Sequence, residues 1–284
     1  MKKTNLHLFC TALLLLWSTY ETKTISNEKK HVIGNTSAGF FACFCCVLNH
    51  IVWCEQHNKT PVVYWGPPGC QFYQPQGYNG SFNAWEYYFE PLSDLSYCEQ
   101  DEIHNTYWLE NQMCFSGWAI DSQTRKRAHE IITKYIRVKS VIQKKIDDFY
   151  TKNMAGKKTI GIHLRGTDKY LEEPVVPLSS FINKAHELAD KNTQFFIASD
   201  DASLFAQAVS QLEGHTIYYE SLRVSTTQHM WQHGHPEKAR LGEEVLIEAI
   251  LLSRCDVVIH GFSNVAAAAL YFNPTVENIL YYVR

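Results

Sequence analysis

Lys157-Lys158-Thr159-Ile160-Gly161-Ile162-His163-Leu164, running on into Arg165-Gly166-Thr167-Asp168-Lys169, settles the architecture of this chain. A short run of β-branched and apolar residues that breaks into charged ones reads as a buried strand with polar groups at its carboxyl end. Outward from it the pattern repeats. Residues 179–190, 202–212, 242–253 and 264–272 have helical periodicity, and between them 195–198, 216–219 and 256–259 read as strands. Strands alternating with helices at this spacing predict a parallel sheet covered on both faces. Ligands of such sheets bind outside the carboxyl ends of the strands.

Three strand ends carry polar groups: His163, Arg165, Asp168 and Lys169 at the first, Ser199, Asp200 and Asp201 at the second, and Ser263-Asn264, opening a helix, at the third. Together they outline one crevice. Arg165 and Lys169 supply positive charge, and the helix opened by Ser263-Asn264 supplies free backbone N–H groups, which is equipment for an anion such as a diphosphate. Asp200, Asp201 and Glu248 are acceptors for a base or a ribose. Two structural roles compete with that reading: Asp200-Asp201 as a helix cap, and Glu248 as a paired carboxylate within an apolar helix.

The first half reads as a βαβ unit. Val32-Ile33 leads through the turn 34–39 into an apolar helix at 39–53 and a strand at 61–65, followed by a long Gly/Pro/Tyr-rich loop over 66–80. Residues 124–153 are helical and charged, and read as two helices bridging the halves. The 284 residues exceed one ordinary domain of roughly 100–200 residues. They divide as a leader and linker over 1–30, an N-terminal acceptor-side Rossmann-like domain over 31–155, and a C-terminal donor-binding domain over 156–284.

Met1-Lys2-Lys3 and the apolar stretch 6–20 look like a signal peptide or a short membrane anchor, since a spanning helix needs about 20 apolar residues. That leader points to the secretory pathway or a membrane surface, with the cytoplasm as the alternative. Charge is near balance, 26 Lys plus Arg against 29 Asp plus Glu, for a net −3. No basic stripe exists to neutralise nucleic-acid phosphates. Cys43, Cys45 and Cys46 sit in the apolar helix and read as core thiols rather than zinc ligands; Cys70, Cys98 and Cys114 are the disulfide candidates if the compartment is oxidising. Sequons occur at Asn35, Asn58 and Asn79.

The strand-end residues, taken as motifs, resemble the α1,6-fucosyltransferase superfamily, which includes the rhizobial nodulation fucosyltransferases. The resemblance is carried by His163-x-Arg165-x-x-Asp168-Lys169, by Ile197-Ala198-Ser199-Asp200-Asp201-x-Ser203-Leu204, and by Glu248-x-x-x-Leu252-Ser253-x-Cys255-Asp256 leading to Gly261-Phe262-Ser263-Asn264. In the first half it rests on Gly39-Phe40-Phe41 and Asn83-x-Trp85-Glu86-Tyr87-x-Phe89-Glu90-Pro91.

The resemblance implies a GT-B fold, two Rossmann-like domains facing a cleft, with parallel sheets flanked by helices. It also implies an inverting transfer of fucose from GDP-fucose to a glycan hydroxyl, with no metal and no further cofactor. On that basis Arg165 stabilises the departing β-phosphate, His163 touches the nucleotide, Glu248 binds guanine, Ser263 and Asn264 form the diphosphate turn, and Glu173 takes the place of the catalytic carboxylate. Glu172-Glu173 before Pro174 also reads as a solvated pair. Two departures stand out: Gly166 replaces a second arginine, and Asn264 replaces a serine.

Other readings remain beside this one: a transferase of the same fold using another nucleotide sugar, or an inactive glycan-binding relative. His229-x-x-x-His233-x-His235 reads as a lid loop with Trp231 rather than a metal site, because Gly234 and Pro236 break a helix. Trp65, Tyr73, Tyr78, Trp85 and Trp108 are candidates for stacking on acceptor sugars, with core burial as the commoner fate of such residues.

Overall fold

A computed structural model describes residues 29–106, 109, 114–167, 171, 174–212, 216–224 and 237–282. The apolar stretch 6–20 lies outside them. Among the described residues no helix is long and apolar enough to cross a membrane.

Two parallel sheets organise the chain. The smaller has the order β2-β1-β3, from β1 (Lys30–Ile33), β2 (Thr60–Val63) and β3 (Ile103–His104). Helix α1 (Phe40–His57) crosses between β1 and β2, the predicted βαβ unit. It ends where Asn58 turns left-handed at φ 52°, a conformation that asparagine tolerates. Cys43, Cys45, Cys46 and Cys54 are buried along α1, and burial pushes the Cys46 and Cys54 thiols up to about 12. None of the eight described cysteines is in a disulfide.

The larger sheet has the order β6-β5-β4-β7-β8, all parallel. Its strands are β4 (Thr159–Leu164), β5 (Gln194–Ser199), β6 (Thr216–Ile217), β7 (Val257–His260) and β8 (Glu277–Leu280). Strand residues alternate between faces, as a pleat requires. Ile160, Ile162, Leu164, Ile197 and Ile259 pack against α4 (Leu178–Leu188) and α5 (Ala202–Gln211). Phe196, Ala198 and Val258 face the other way, toward α6 (Lys238–Ser253) and α7 (Asn264–Phe272). This second face is the start of a larger core that continues without a break into α1, α2 (Ser122–Tyr135), α3 (Ser140–Asn153) and the aromatic segment 84–89.

Within that core, α6 is buried along most of its length from Leu241 to Ser253. Tyr88 donates to the Ala239 carbonyl at 2.9 Å, and a Cβ on Gly242 would lie 2.5 Å from Tyr88 Cζ. Only glycine lets the aromatic segment of the first half approach α6 so closely. The bridging helices α2 and α3 are where periodicity placed them. The structure starts α6 at Lys238, four residues ahead of the predicted start, and ends β6 at Ile217 rather than 219.

Candidate functional site

The register of the larger sheet sets His163 opposite Ala198 on β5 and His260 on β7, so the strand ends lie side by side. Against them is a cavity of about 310 Å³, at the lower end of ordinary ligand pockets. His163, Arg165, Ser199, Asp200, Glu248, Ser263 and Asn264 line it from the second half. The first half supplies residues 37–42, covering the N-terminus of α1, together with Phe72, Gly117 and Trp118.

Asp200 organises the loop after β4. Its carboxylate accepts from Gly166 N–H at 2.9 Å and from the Thr167 hydroxyl at 2.8 Å, and lies 3.3 Å from Arg165 Nε. Asp200 is thus a positioning group, using its oxygens on the loop that carries Arg165. Asp201 has the other role raised by the sequence: it caps α5, accepting from Ser203 N–H at 2.7 Å and Leu204 N–H at 2.9 Å, and is not part of the cavity lining. The cap also accounts for Gly166. A Cβ there would sit 2.5 Å from Asp201 Cβ, so this backbone has no room for a second arginine.

Glu248 projects from α6 into the cavity. Ser221 donates a short hydrogen bond to it, and Arg223 is paired with it at 3.3 Å. Burial nevertheless dominates and raises its pKa from 4.5 to about 7, against the lowering by Ser221 and Arg223. The Arg223 guanidinium is itself held over the Phe205 ring at 3.9 Å and donates to the Tyr219 and Ser221 carbonyls. One turn earlier Glu244 also lines the cavity, accepting from Leu222 N–H at 2.8 Å and Arg240 Nε at 2.7 Å. These two carboxylates fasten the segment after β6 across the cavity.

At the third strand end Ser263 caps α7, its hydroxyl accepting from Val265 N–H at 3.1 Å. The N-terminus of α7 therefore opens toward the cavity with the positive end of its dipole. Gly117 presses on it from the first half, where an added Cβ would lie 2.9 Å from Asn264 N. Among the described residues no three His, Cys, Asp or Glu side chains gather as a metal site.

His163, Arg165, Asp200, Glu248, Ser263 and Asn264 are thus brought together, while Asp201 turns away. Asp168, Lys169, Glu173, Trp108 and the His229, Trp231, His233 and His235 segment lie outside the described residues. Sequence reasoning missed Glu244, Ser221, Arg223 and the turn holding Gly117 and Trp118. A signal existed for Glu244: three carboxylates, Glu243, Glu244 and Glu248, in a helix that is otherwise apolar beyond Arg240, two of them at i,i+4 spacing.

No family model and no curated protein matches the sequence. Solved structures do. The NodZ alpha-1,6-fucosyltransferase co-crystallized with GDP superposes with a TM-score of 0.59 at 20% identity, over 89% of this chain and 95% of that one. The same enzyme soaked with GDP-fucose gives 0.58 at 20% identity over 87% and 94%, and an Arabidopsis thaliana FUT1 mutant in complex with GDP gives 0.55 at 11% identity over 94% and 75%. The chain has their fold. It is the α/β, GT-B type expected from the strand-end motifs.

Proposed function

We propose that the chain is a glycosyltransferase that moves fucose from GDP-fucose to a glycan hydroxyl, with inversion at the anomeric carbon and without a metal ion. The observation that carries this reading is the convergence of Arg165, Glu248 and the α7 N-terminus on one cavity at the strand ends. Guanine presents N–H donors, which the Glu248 carboxylate accepts. The diphosphate takes the α7 backbone N–H groups and Arg165, whose orientation Asp200 sets. As the bond from the anomeric carbon to the β-phosphate oxygen breaks, negative charge grows on that oxygen, and preorganised donors act there at no cost of reorganisation. The acceptor hydroxyl attacks from the opposite face and loses its proton to a carboxylate, the role assigned to Glu173, while Asp168 and Lys169 complete the donor side. The fold shared with NodZ supports this reading, as do the structures of that enzyme co-crystallized with GDP and soaked with GDP-fucose. The leader over residues 1–30 is proposed to deliver the two domains, 31–155 and 156–284, to the secretory pathway or a membrane surface.

Thermal shift of the purified chain against GDP, UDP, GDP-fucose and GDP-mannose separates the readings. Stabilisation by guanine nucleotides alone is expected; preference for UDP, or no shift at all, would overturn the donor assignment. Arg165→Ala is expected to lower transfer by at least 10²–10³ with its melting temperature retained, since removing one such donor typically costs that much.

A further inference from the structure

Arg223 does not line the cavity, yet its Nη2 lies 3.3 Å from Glu248 Oε1, and its side chain is only 9% exposed. The guanidinium is centred 3.9 Å from the Phe205 ring and 5.6 Å from the Tyr218 ring, two rings that meet edge-on at 4.9 Å. The backbone beside it is pinned as well. Val224 N–H donates to the Asp200 carbonyl at 3.0 Å, and the Val224 carbonyl accepts from Ala202 N–H at 3.1 Å. Arg223 is thus tied to the strand end whose Asp200 side chain orients Arg165.

Stability alone is a poor account of this arrangement. A buried ion pair gains little over apolar packing of the same volume. Moreover, Arg223 Nε is buried with no hydrogen-bond partner among the described residues, a cost that asks for a reason. The bonding of Glu248 supplies one. Ser221 and Arg223 both bond to Oε1, whereas Oε2 has no bond within the described residues and is left for the cavity that Glu248 lines.

We propose that Arg223 is a positioning residue for the donor base: it holds Glu248 by one carboxylate oxygen and keeps it ionised, so that the other oxygen accepts from guanine. This deepens the transferase reading and rests on it. Glu244 faces Glu248 from the same helix and Asp200 from the loop after β5, while His163 and Arg165 line the cavity from β4 and its loop. Burial and the two carboxylates favour a protonated Glu248, and the Arg223 charge opposes them. Removing an opposite charge at this range raises a carboxyl pKa by about one to three units.

The test is calorimetric titration of the full chain with GDP between pH 6 and 9, in the wild type, Arg223→Met, Arg223→Gln and Arg223→Lys, each also combined with Glu248→Gln. The pH midpoint for GDP affinity should rise by at least about one unit in the Met and Gln variants. From a Glu248 pKa of about 7, a rise of one to two units weakens binding about three- to thirtyfold at pH 7.5. Arg223→Lys, which keeps the charge, should hold the midpoint near wild type. In the Glu248→Gln background the same Arg223 substitutions should change affinity less than about twofold, because no carboxylate remains to be held. A purely structural arginine would instead lower affinity by one factor at every pH and in both backgrounds, and that result would overturn the proposal. Arg223→Gln keeps a donor for the Tyr219 and Ser221 carbonyls, so it guards against a methionine variant that fails to fold. If no guanine nucleotide binds the wild type, the donor reading fails, and urea denaturation decides the role of Arg223. The pH window of the stability difference between Glu248 and Glu248→Gln chains should still move upward in Arg223→Gln; an unmoved window would overturn the hold on Glu248 as well.

Discussion

Glu248 offers a stability measurement whose sign runs against the usual behaviour of a carboxylate. Its side chain is buried at the cavity wall, and burial raises its pKa from 4.5 to about 7 despite Ser221 and Arg223. The folded chain therefore binds this proton more tightly than the unfolded one. Its contribution to stability is fully present below pH 4.5, declines as pH rises toward 7, and is flat above. A shift of that size is worth about 3 kcal/mol across the window, at 1.36 kcal/mol for each factor of ten. Urea denaturation of the wild type and Glu248→Gln between pH 4.5 and 8 isolates it. Glutamine does not titrate, so the stability difference between the two should change by about 3 kcal/mol, in favour of the variant as pH rises. GDP adds an independent arm. If guanine donates to the ionised carboxylate, affinity for GDP should fall by up to tenfold per pH unit below 7 in the wild type and much less in the variant. Parallel pH profiles for the two proteins would refute the argument, because they would show Glu248 already ionised in its buried pairing.

Two further stability tests probe the first half. Gly242→Ala forces a methyl group into Tyr88, fully buried, and should cost about 1–3 kcal/mol of overpacking, partly offset by alanine's better helix propensity of about 1 kcal/mol; a melting temperature at or above wild type would show that the aromatic segment yields. His31 stacks on His104 at 4.2 Å and shares a 2.8 Å hydrogen bond with His50, and burial foremost lowers their pKa values to about 3 and about 4. Depressed bases stabilise the fold above pH 6.5 and lose that contribution as pH falls toward their folded values, so the urea midpoint should drop between pH 6.5 and 4, and drop less in His50→Gln.

The larger sheet was legible because β4, β5 and β7 are apolar throughout and end abruptly in polar residues. Its edge was not. β8 reads Glu277-Asn278-Ile279-Leu280 with no buried residue, and β3 has only two residues, so neither carries a hydrophobic run to detect. At the site, residues that follow a strand end in sequence, such as Arg165, Asp200 and Ser263, were readable from position. Asp200 and Asp201 were not separable, since adjacent carboxylates differ only in which way each side chain turns. Trp65 and Trp85 are buried in the core, whereas Trp118, overlooked, stands at the cavity mouth. Indole identity does not reveal which tryptophan a glycine turn lifts into solvent. Arg223 escaped because it acts through a folded-back segment and an aromatic ring distant in sequence.

The unbroken core that joins α6 and α7 to α1 and the aromatic segment 84–89 has a consequence for engineering. Enzymes built from two halves invite grafting, in which one half is exchanged to obtain a new donor or acceptor preference. Here the seam does not follow the connection near Gly156. A chimera cut there would part Tyr88 from Gly242 and leave the apolar flank of α6 without its lid. Only α4 and α5, with the one sheet face they cover, form a separate core; the other face of the larger sheet belongs to the joined core, so the sheet travels with α1, α6 and α7.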